Sequence, residues 1–429
     1  MNIFELTLKF QGFELARAEK LLQSILDKSS SDLYEWQEKK KWEIFSHHYD
    51  HNPFYRKIIG PEKPEKWEDV PILNKKDLQK PIDEMLAAGY NRKNVYLSNT
   101  SGSSGHPFFF AKDKFAHALS WALIKHRFSQ YGIGLNSSQV RFYGIPLDKK
   151  SYLAEKLKDR LSNRIRFQVF DLSEEVLHEF VKVFKTRKIA YIYGYTSSIV
   201  RFARYLMEKA TILKKICPTL KVCIVTSELC TDEDKRLLEA AFGIRVAIEY
   251  GSSELSVMGF EFPDGQMICS DEITFFENVP ESNGTTRLLC TSLFNQAFPL
   301  IRYSIGDSVD FDFNAEGRKI ITRINGRVND FVQLPSGKVA AGFTFYYVSR
   351  SILESTGCLR EFVVRQTKLD TFVLDVVATE KLSEEEIKDI REKMEMYLEP
   401  GLKIEINYVN EIARKASGKI QHFYSELEV

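Results

Sequence analysis

The segment Ser98–Pro107 (SNTSGSSGHP) carries hydroxyls on Thr100, Ser101, Ser103 and Ser104, with Gly102 and Gly105 set among them. Glycines let a backbone approach a ligand closely, and a loop rich in N–H groups and hydroxyls can cradle phosphate oxygens. A flexible polar linker has the same composition. It is not a Walker loop, because no Gly-Lys-Ser/Thr follows, and it lacks the Gly-x-Ser-x-Gly spacing of a nucleophile elbow. Further on, Tyr250-Gly-Ser-Ser-Glu254 directly follows the strand-like run RVAIEYG. An aromatic there can stack on a base, and a carboxylate can hold Mg²⁺ beside substrate phosphates. Arg302-Tyr-Ser-Ile-Gly-Asp307 and Gly326-Arg-Val-Asn-Asp330 offer an Asp able to accept both hydroxyls of a ribose and, in Arg327, a fork for a phosphate. Near the C-terminal end, Lys419 stands in ASGKI (416–420), where Gly418 and Ile420 place it on a short turn and strand. Taken singly, an ordinary strand-end turn, a pair of β-turns and a solvated lysine account for the last three segments as well.

Three other patterns carry less. His47, His48 and His51 have helical spacing that could place two of them on one face for a metal, yet they read as surface or packing residues. Gly132-Ile-Gly134 begins like a dinucleotide fingerprint but has Ser137 at the third glycine position. His106 has no acidic orienter to make it a hydrolase base.

The elements that must position these residues follow from periodicity. Residues 1–60 show apolar positions at helical spacing through Phe13–Leu26 and Leu33–Phe45, and the Pro- and charge-rich Gly60–Pro71 reads as a surface connection. The runs VRFYGI (140–145), RFQVFDL (166–172), IAYIYGY (189–195), KVCIVTSE (221–228) and RVAIEYG (245–251) are short, apolar and β-branched or aromatic. Helical patterns such as Glu174–Thr186 and Asp232–Phe242 separate them, which predicts a parallel sheet covered on both faces. Ligands of such sheets sit at the carboxyl ends of the strands, where Tyr250–Glu254 falls. From about 265 to 324, close-spaced strands with turns at ESNGT and FNAEG predict an antiparallel sheet or small barrel. After Asp330, a turn at Leu334–Gly337 leads to a helix, two strands, a helix over Ser383–Leu398 and a final strand. The expected fold class is therefore α/β. Residues 1–329 form a large domain of mixed and parallel sheets plus the small antiparallel sheet or barrel, and 330–429 a small mobile α+β domain.

The bulk numbers set limits. With 429 residues, 44% hydrophobic, there is material for a large core and more than one domain. Sixty basic and 59 acidic side chains nearly cancel, which gives no reason to expect a nucleic-acid surface or a polybasic membrane anchor. No apolar run approaches a membrane span, and the opening segment lacks an apolar signal core, so a soluble cytoplasmic protein is expected. The six cysteines include no CxxC pair and read as reduced, buried thiols.

In their order and spacing, these segments resemble the adenylate-forming (ANL) superfamily, and most closely its phenylacetate–CoA ligase branch and the CapK-type proteins of capsule biosynthesis. HNPFYRK (51–57) and VPILNKKDL (70–78) are similar to the first segments of that branch. TSGSSGHP (100–107) resembles the family's phosphate-binding loop, with Ser104 where Thr is usual. Thr226-Ser-Glu228 and YGSSE (250–254) resemble its adenine and metal segments, RYSIGD (302–307) its ribose segment, GRVND (326–330) its hinge and ASGKI its catalytic-lysine segment.

The resemblance implies that a carboxylic acid attacks ATP to give an acyl-adenylate, with coenzyme A as the acceptor in a second step. Catalytic roles fall to Lys419 and to Glu254, which would hold Mg²⁺. ATP or AMP would meet Thr100, Ser101, Gly102, Ser103, Ser104 and Gly105, then Ser227, Glu228, Tyr250, Gly251, Ser252, Ser253, Asp307 and Arg327. Asp330 would be the hinge, and Tyr143-Gly144 would line the acyl pocket. Some phenylacetate-type ligases carry a zinc site near YGxxE. Here GFEFPDGQM (259–267) holds neither Cys nor His, so no zinc is expected. No CoA signature is found, which leaves open an amine, sugar or carrier-protein acceptor, and a non-catalytic nucleotide-binding protein as a rival of another class. The identity of the acid and any homo-oligomer are not legible.

Overall fold

The computed structural model describes residues 3–99, 108–144, 149–167, 169, 172–280, 286–327, 332–337, 339–340, 358–412 and 423–427. Helices open the chain: Ile3–Phe10, Leu15–Leu26, Ser30–His51 and Pro53–Ile59. Leu15, Ala18, Leu22 and Ile25 are buried at the three- and four-residue spacing of one helix face. Ser29 caps the third helix by accepting from the Asp32 amide, and Asn52 caps the fourth by accepting from the Tyr55 amide at 3.0 Å.

The five apolar runs are strands: Gln139–Phe142, Arg164–Phe167, Tyr191–Tyr195, Val222–Thr226 and Arg245–Ser252. The first pairs in parallel with the second and the third, the third with the fourth, and the fourth with the fifth. Both faces are covered. On one, Phe180, Phe184, Phe202 and Phe242, from the helices Glu174–Thr186, Thr196–Glu208 and Asp232–Phe242, pack on Phe142 and Val225. On the other, Leu119, Leu123 and Phe128 of the helix Lys114–Ser129 pack with Ala18 and Leu22 on Ile224 and Ala247. Two helices have the predicted bounds to the residue, Glu174–Thr186 and Asp232–Phe242. The second is framed by a Thr231/Asp234 capping box and by Gly243 in the left-handed region.

Two glycines are fixed by strand contact. A Cβ at Gly194 would fall 2.5 Å from the Phe142 carbonyl oxygen, its register partner's. At Gly251 a Cβ would strike the Ser256 carbonyl across the hairpin joining Arg245–Ser252 to Ser256–Glu261.

The close-spaced strands after residue 265 are shared between two sheets. Met267–Cys269 extends the large sheet by antiparallel pairing with Ser256–Glu261, and Ile268 pairs with Ile320 of Lys319–Arg327. Thr274–Pro280, Thr286–Ser292 and Tyr303–Ser304 form a separate sheet with Leu73–Asn74, which runs parallel to Tyr303–Ser304. The expected surface connection over 60–71 also differs. It contains a short 3-10 turn, Trp67–Asp69, because Trp67 is buried and donates its indole N–H to Glu277 at 2.9 Å.

The chain divides into two compact units. One comprises 1–277, 289–304 and 311–322, and the other 278–288, 305–310 and 323–429. In the second, the strands Lys403–Tyr408, Thr371–Ala378, Leu359–Lys368 and Phe423–Ser425 form a sheet in that order. Its core packs Val364, Phe372, Leu374 and Val376 with Ile390 and Met394 of the helix Glu384–Tyr397. A Ser383/Glu386 capping box starts that helix, and Gly337 closes the predicted turn onto the Leu334 carbonyl. The helix expected between that turn and the first strand falls outside the described residues.

Candidate active site

Glu254 sits in the turn of the hairpin that follows the last parallel strand, at the carboxyl edge of the sheet. Its side chain turns inward. The residue is buried, and one carboxylate oxygen accepts the Tyr303 hydroxyl at 3.2 Å. The other oxygen, Oε2, is buried without a hydrogen bond among the described residues. A buried acceptor left without a donor costs free energy unless a ligand or cation completes it. Tyr303 in turn stacks on Phe108, the first described residue after the hydroxyl-rich loop, with ring centres 6.1 Å apart. The exit of that loop, the strand Tyr303–Ser304 and the Glu254 turn are thus one packed cluster.

A buried lysine joins it. Lys112, on the strand Phe109–Asp113, has its pKa pushed down to about 8 by burial, while the charge of Glu254 pulls it back up. Sequence reading missed this residue, whose only signal is a lone Lys in the apolar run FFFAKD.

Tyr250 is half-buried at the irregularity between Tyr250 and Gly251, and Ser252 accepts the Leu255 amide at 3.1 Å, pinning the turn, while Ser253 is exposed. Ser227 is exposed and has φ +70°, a left-handed conformation a serine rarely adopts. Glu228 next to it lies over the start of the helix Thr196–Glu208, its carboxylate accepting the Ser197 amide at 2.8 Å, as the positive end of a helix favours. Tyr143 is half-buried beneath Tyr195, and the Gly144 carbonyl accepts from Arg166 at 2.9 Å. Asp307, in the second unit, opens the strand Asp307–Phe313 directly after Gly306 at φ +83°. Thr100, Ser101, Gly102, Ser103, Ser104, Gly105, Asp330 and Lys419 lie outside the described residues, as does the Arg327 side chain at the end of Lys319–Arg327.

Arg302, the first residue of RYSIGD, is a structural clamp. It is buried with φ +44°, and its guanidinium donates to the Glu68 and Val70 carbonyls at 2.6 and 2.8 Å and to Glu277 at 3.2 Å. His48 is likewise a packing residue. It is buried and bonded to the Asn295 carbonyl at 2.8 Å, and burial holds its pKa down at about 3. None of the six cysteines is in a disulfide, and all are buried. Among the described residues, no group of three or more His, Cys, Asp or Glu side chains could hold a metal, and no helix is long and apolar enough to cross a membrane.

Comparison with known proteins agrees with the family resemblance read from the sequence. Residues 344–426 match the CapK C-terminal domain family. Protein CapK of Staphylococcus aureus is 23% identical over 409 residues, covering 91% of this chain and 88% of that protein. Among solved structures, a 2-hydroxyisobutyryl-CoA ligase in its postadenylation state, complexed with R3-HIB-AMP, superposes with a TM-score of 0.63. It is 18% identical, over 90% of this chain and 88% of that one. The anthranilate CoA ligase AuaEII in complex with anthranoyl-AMP gives a TM-score of 0.51 at 15% identity, over 78% of this chain and 67% of that one. The fold is that of the adenylate-forming ligases.

Proposed function

From a chain that resembles the adenylate-forming superfamily, and its CapK type in particular, we propose the activity of that superfamily: ATP-dependent activation of a carboxylic acid as an acyl-adenylate. A carboxylate oxygen attacks the α-phosphorus of ATP, the bond to the bridging β-phosphate oxygen breaks, and pyrophosphate leaves. The observation that carries this reading is Glu254, a buried carboxylate at the carboxyl edge of a parallel sheet, beside Tyr250, with one oxygen that makes no hydrogen bond among the described residues. One carboxylate together with substrate phosphates is how Mg²⁺ is commonly held, so Glu254 fits that ion, which when bound screens the phosphate charge. Tyr250 would stack on adenine, with Ser227 and Glu228 framing it and Gly251–Ser253 shaping the turn. Thr100–Gly105 would hold the leaving pyrophosphate, with Asp307 on the ribose and Arg327 on phosphate. Two anions must meet in this step, and Lys419 would bridge them. Tyr143-Gly144 would line the acyl pocket, and Asp330 would be the hinge for a second half-reaction between the 1–329 and 330–429 segments.

For that second step we propose transfer to coenzyme A, as the ligase fold suggests. The likeness to Protein CapK favours a second reading, in which an amine, sugar or carrier protein accepts the acyl group. Acid-dependent exchange of pyrophosphate into ATP tests adenylation, and mass detection of the acylated product separates the acceptors.

A further inference from the structure

Arg141 holds a guanidinium that the described residues leave largely unused. It lies on the strand Gln139–Phe142, on the same face as Tyr143 two residues on. The side chain is half-buried, and its Cζ stands 4.7 Å from the centre of the Tyr193 ring and 5.9 Å from that of Tyr143. Nε donates to Gln139 at 2.7 Å. Among the described residues, the two terminal nitrogens make no hydrogen bond and no ion pair. The neighbouring edge strand shows the contrast. There, Arg166 is matched to Asp159 at 3.0 Å and to Glu155 at 2.8 Å, and Arg164 donates to Ser162 at 2.8 Å.

The groups around Arg141 are polar in a way a hydrocarbon pocket has no use for. Tyr193 donates its hydroxyl to the buried Glu249 at 2.5 Å, and the Tyr143 hydroxyl hydrogen-bonds the side chains of Tyr193 and Ser227. The Tyr143 and Tyr193 rings lie nearly parallel, 5.8 Å apart. Glu249 is satisfied by Tyr193 and Thr226, so it balances Arg141 through space without occupying its fork. Ser227, one hydroxyl from Tyr143, belongs to the segment assigned to the nucleotide. The Arg141 guanidinium is therefore set back from the proposed ATP site along a line of hydroxyls.

We infer that Arg141 is a specificity-determining residue of the acyl pocket, and that the acid activated here is a dicarboxylic acid whose second carboxylate pairs with the Arg141 fork. A guanidinium meets a carboxylate through two parallel N–H···O bonds, a match that a hydroxyl or a hydrocarbon end cannot make. The inference rests on the adenylation reading above and goes beyond it by naming the substrate class.

The test is ATP–pyrophosphate exchange by the full chain with succinate, glutarate and adipate against butyrate, hexanoate, benzoate and phenylacetate. The expected result is a kcat/KM for at least one diacid roughly 10- to 100-fold above every monoacid, the scale of a hydrogen-bonded charge pair. Arg141→Met should lose that margin with the KM for ATP unchanged, and Arg141→Lys should regain part of it. If Arg141→Met does not fold, the wild-type ranking alone decides. Exchange led by monoacids, or a diacid preference untouched in Arg141→Met, overturns this inference and leaves adenylation standing. No exchange with any acid overturns the adenylation reading, and this inference with it.

Discussion

Glu254 and Lys112 show how two residues of one cluster divide between ligand and fold. Glu254 has a carboxylate oxygen that nothing described satisfies, whereas its other oxygen is held by Tyr303. Glu254→Gln keeps the shape and the Tyr303 contact but removes the charge. It should lower acid-dependent exchange by roughly 100-fold, the usual scale for one electrostatic group in a catalytic site, with little change in the melting curve. Unchanged exchange would remove Glu254 from the chemistry. Lys112 makes a prediction about stability. Below about pH 8 it is charged in both folded and unfolded chains, so the full cost of burying the charge is present. Between about 8 and the ordinary value of 10.5 the folded chain gives up this proton first. The unfolded chain then binds more protons, and stability rises with pH. Wild type should therefore gain up to about 3 kcal/mol over that window relative to Lys112→Met, read from denaturant midpoints at each pH. A difference that stays flat or runs the other way would contradict the buried, charge-penalised lysine. Nothing in FFFAKD signals this, because its burial is set by helices and strands far off in sequence.

Local elements were the legible part of the chain. Glu174–Thr186 and Asp232–Phe242 could be bounded to the residue, because an apolar stripe with acidic first-turn residues and, for the second, a following glycine is written in adjacent positions. Pairings between distant segments were not legible. Leu73–Asn74 joins Tyr303–Ser304, and Phe423–Ser425 joins Leu359–Lys368, through short strands that periodicity does not distinguish from loops. Trp67 and Arg302 explain the first of these. The Arg302 guanidinium, recognised in sequence only as part of a ribose-binding motif, ties the carbonyls of Glu68 and Val70 to Glu277. Arg302→Met leaves those acceptors and a carboxylate without a cation. It should cost about 3–5 kcal/mol, the range for breaking a buried charge pair from one side. A loss under about 1 kcal/mol in equilibrium unfolding would mean that the clamp is not structural. Gly251 belongs in sequence to a nucleotide motif, and the contact that demands glycine there is the Ser256 carbonyl across the hairpin.

At the scale of the whole molecule, the nominated residues fall in both compact units. Tyr143, Ser227, Glu228, Tyr250 and Glu254 lie in the first and Asp307 and Arg327 in the second, as does the segment carrying Lys419. Lys419→Ala should cut adenylate formation by orders of magnitude while leaving transfer from preformed acyl-adenylate largely intact, as single-turnover assays of each half would show. Equal damage to both halves would remove the assignment of Lys419 to the first step alone.

ATP–pyrophosphate exchange across a panel of carboxylic acids measures acyl-adenylate formation most directly. Label should enter ATP only when the right acid is present, with magnesium required and the signal lowered roughly 100-fold in Glu254→Gln. Tight ATP binding without exchange for any acid would contradict it, and would make the chain a nucleotide-binding protein on a ligase fold.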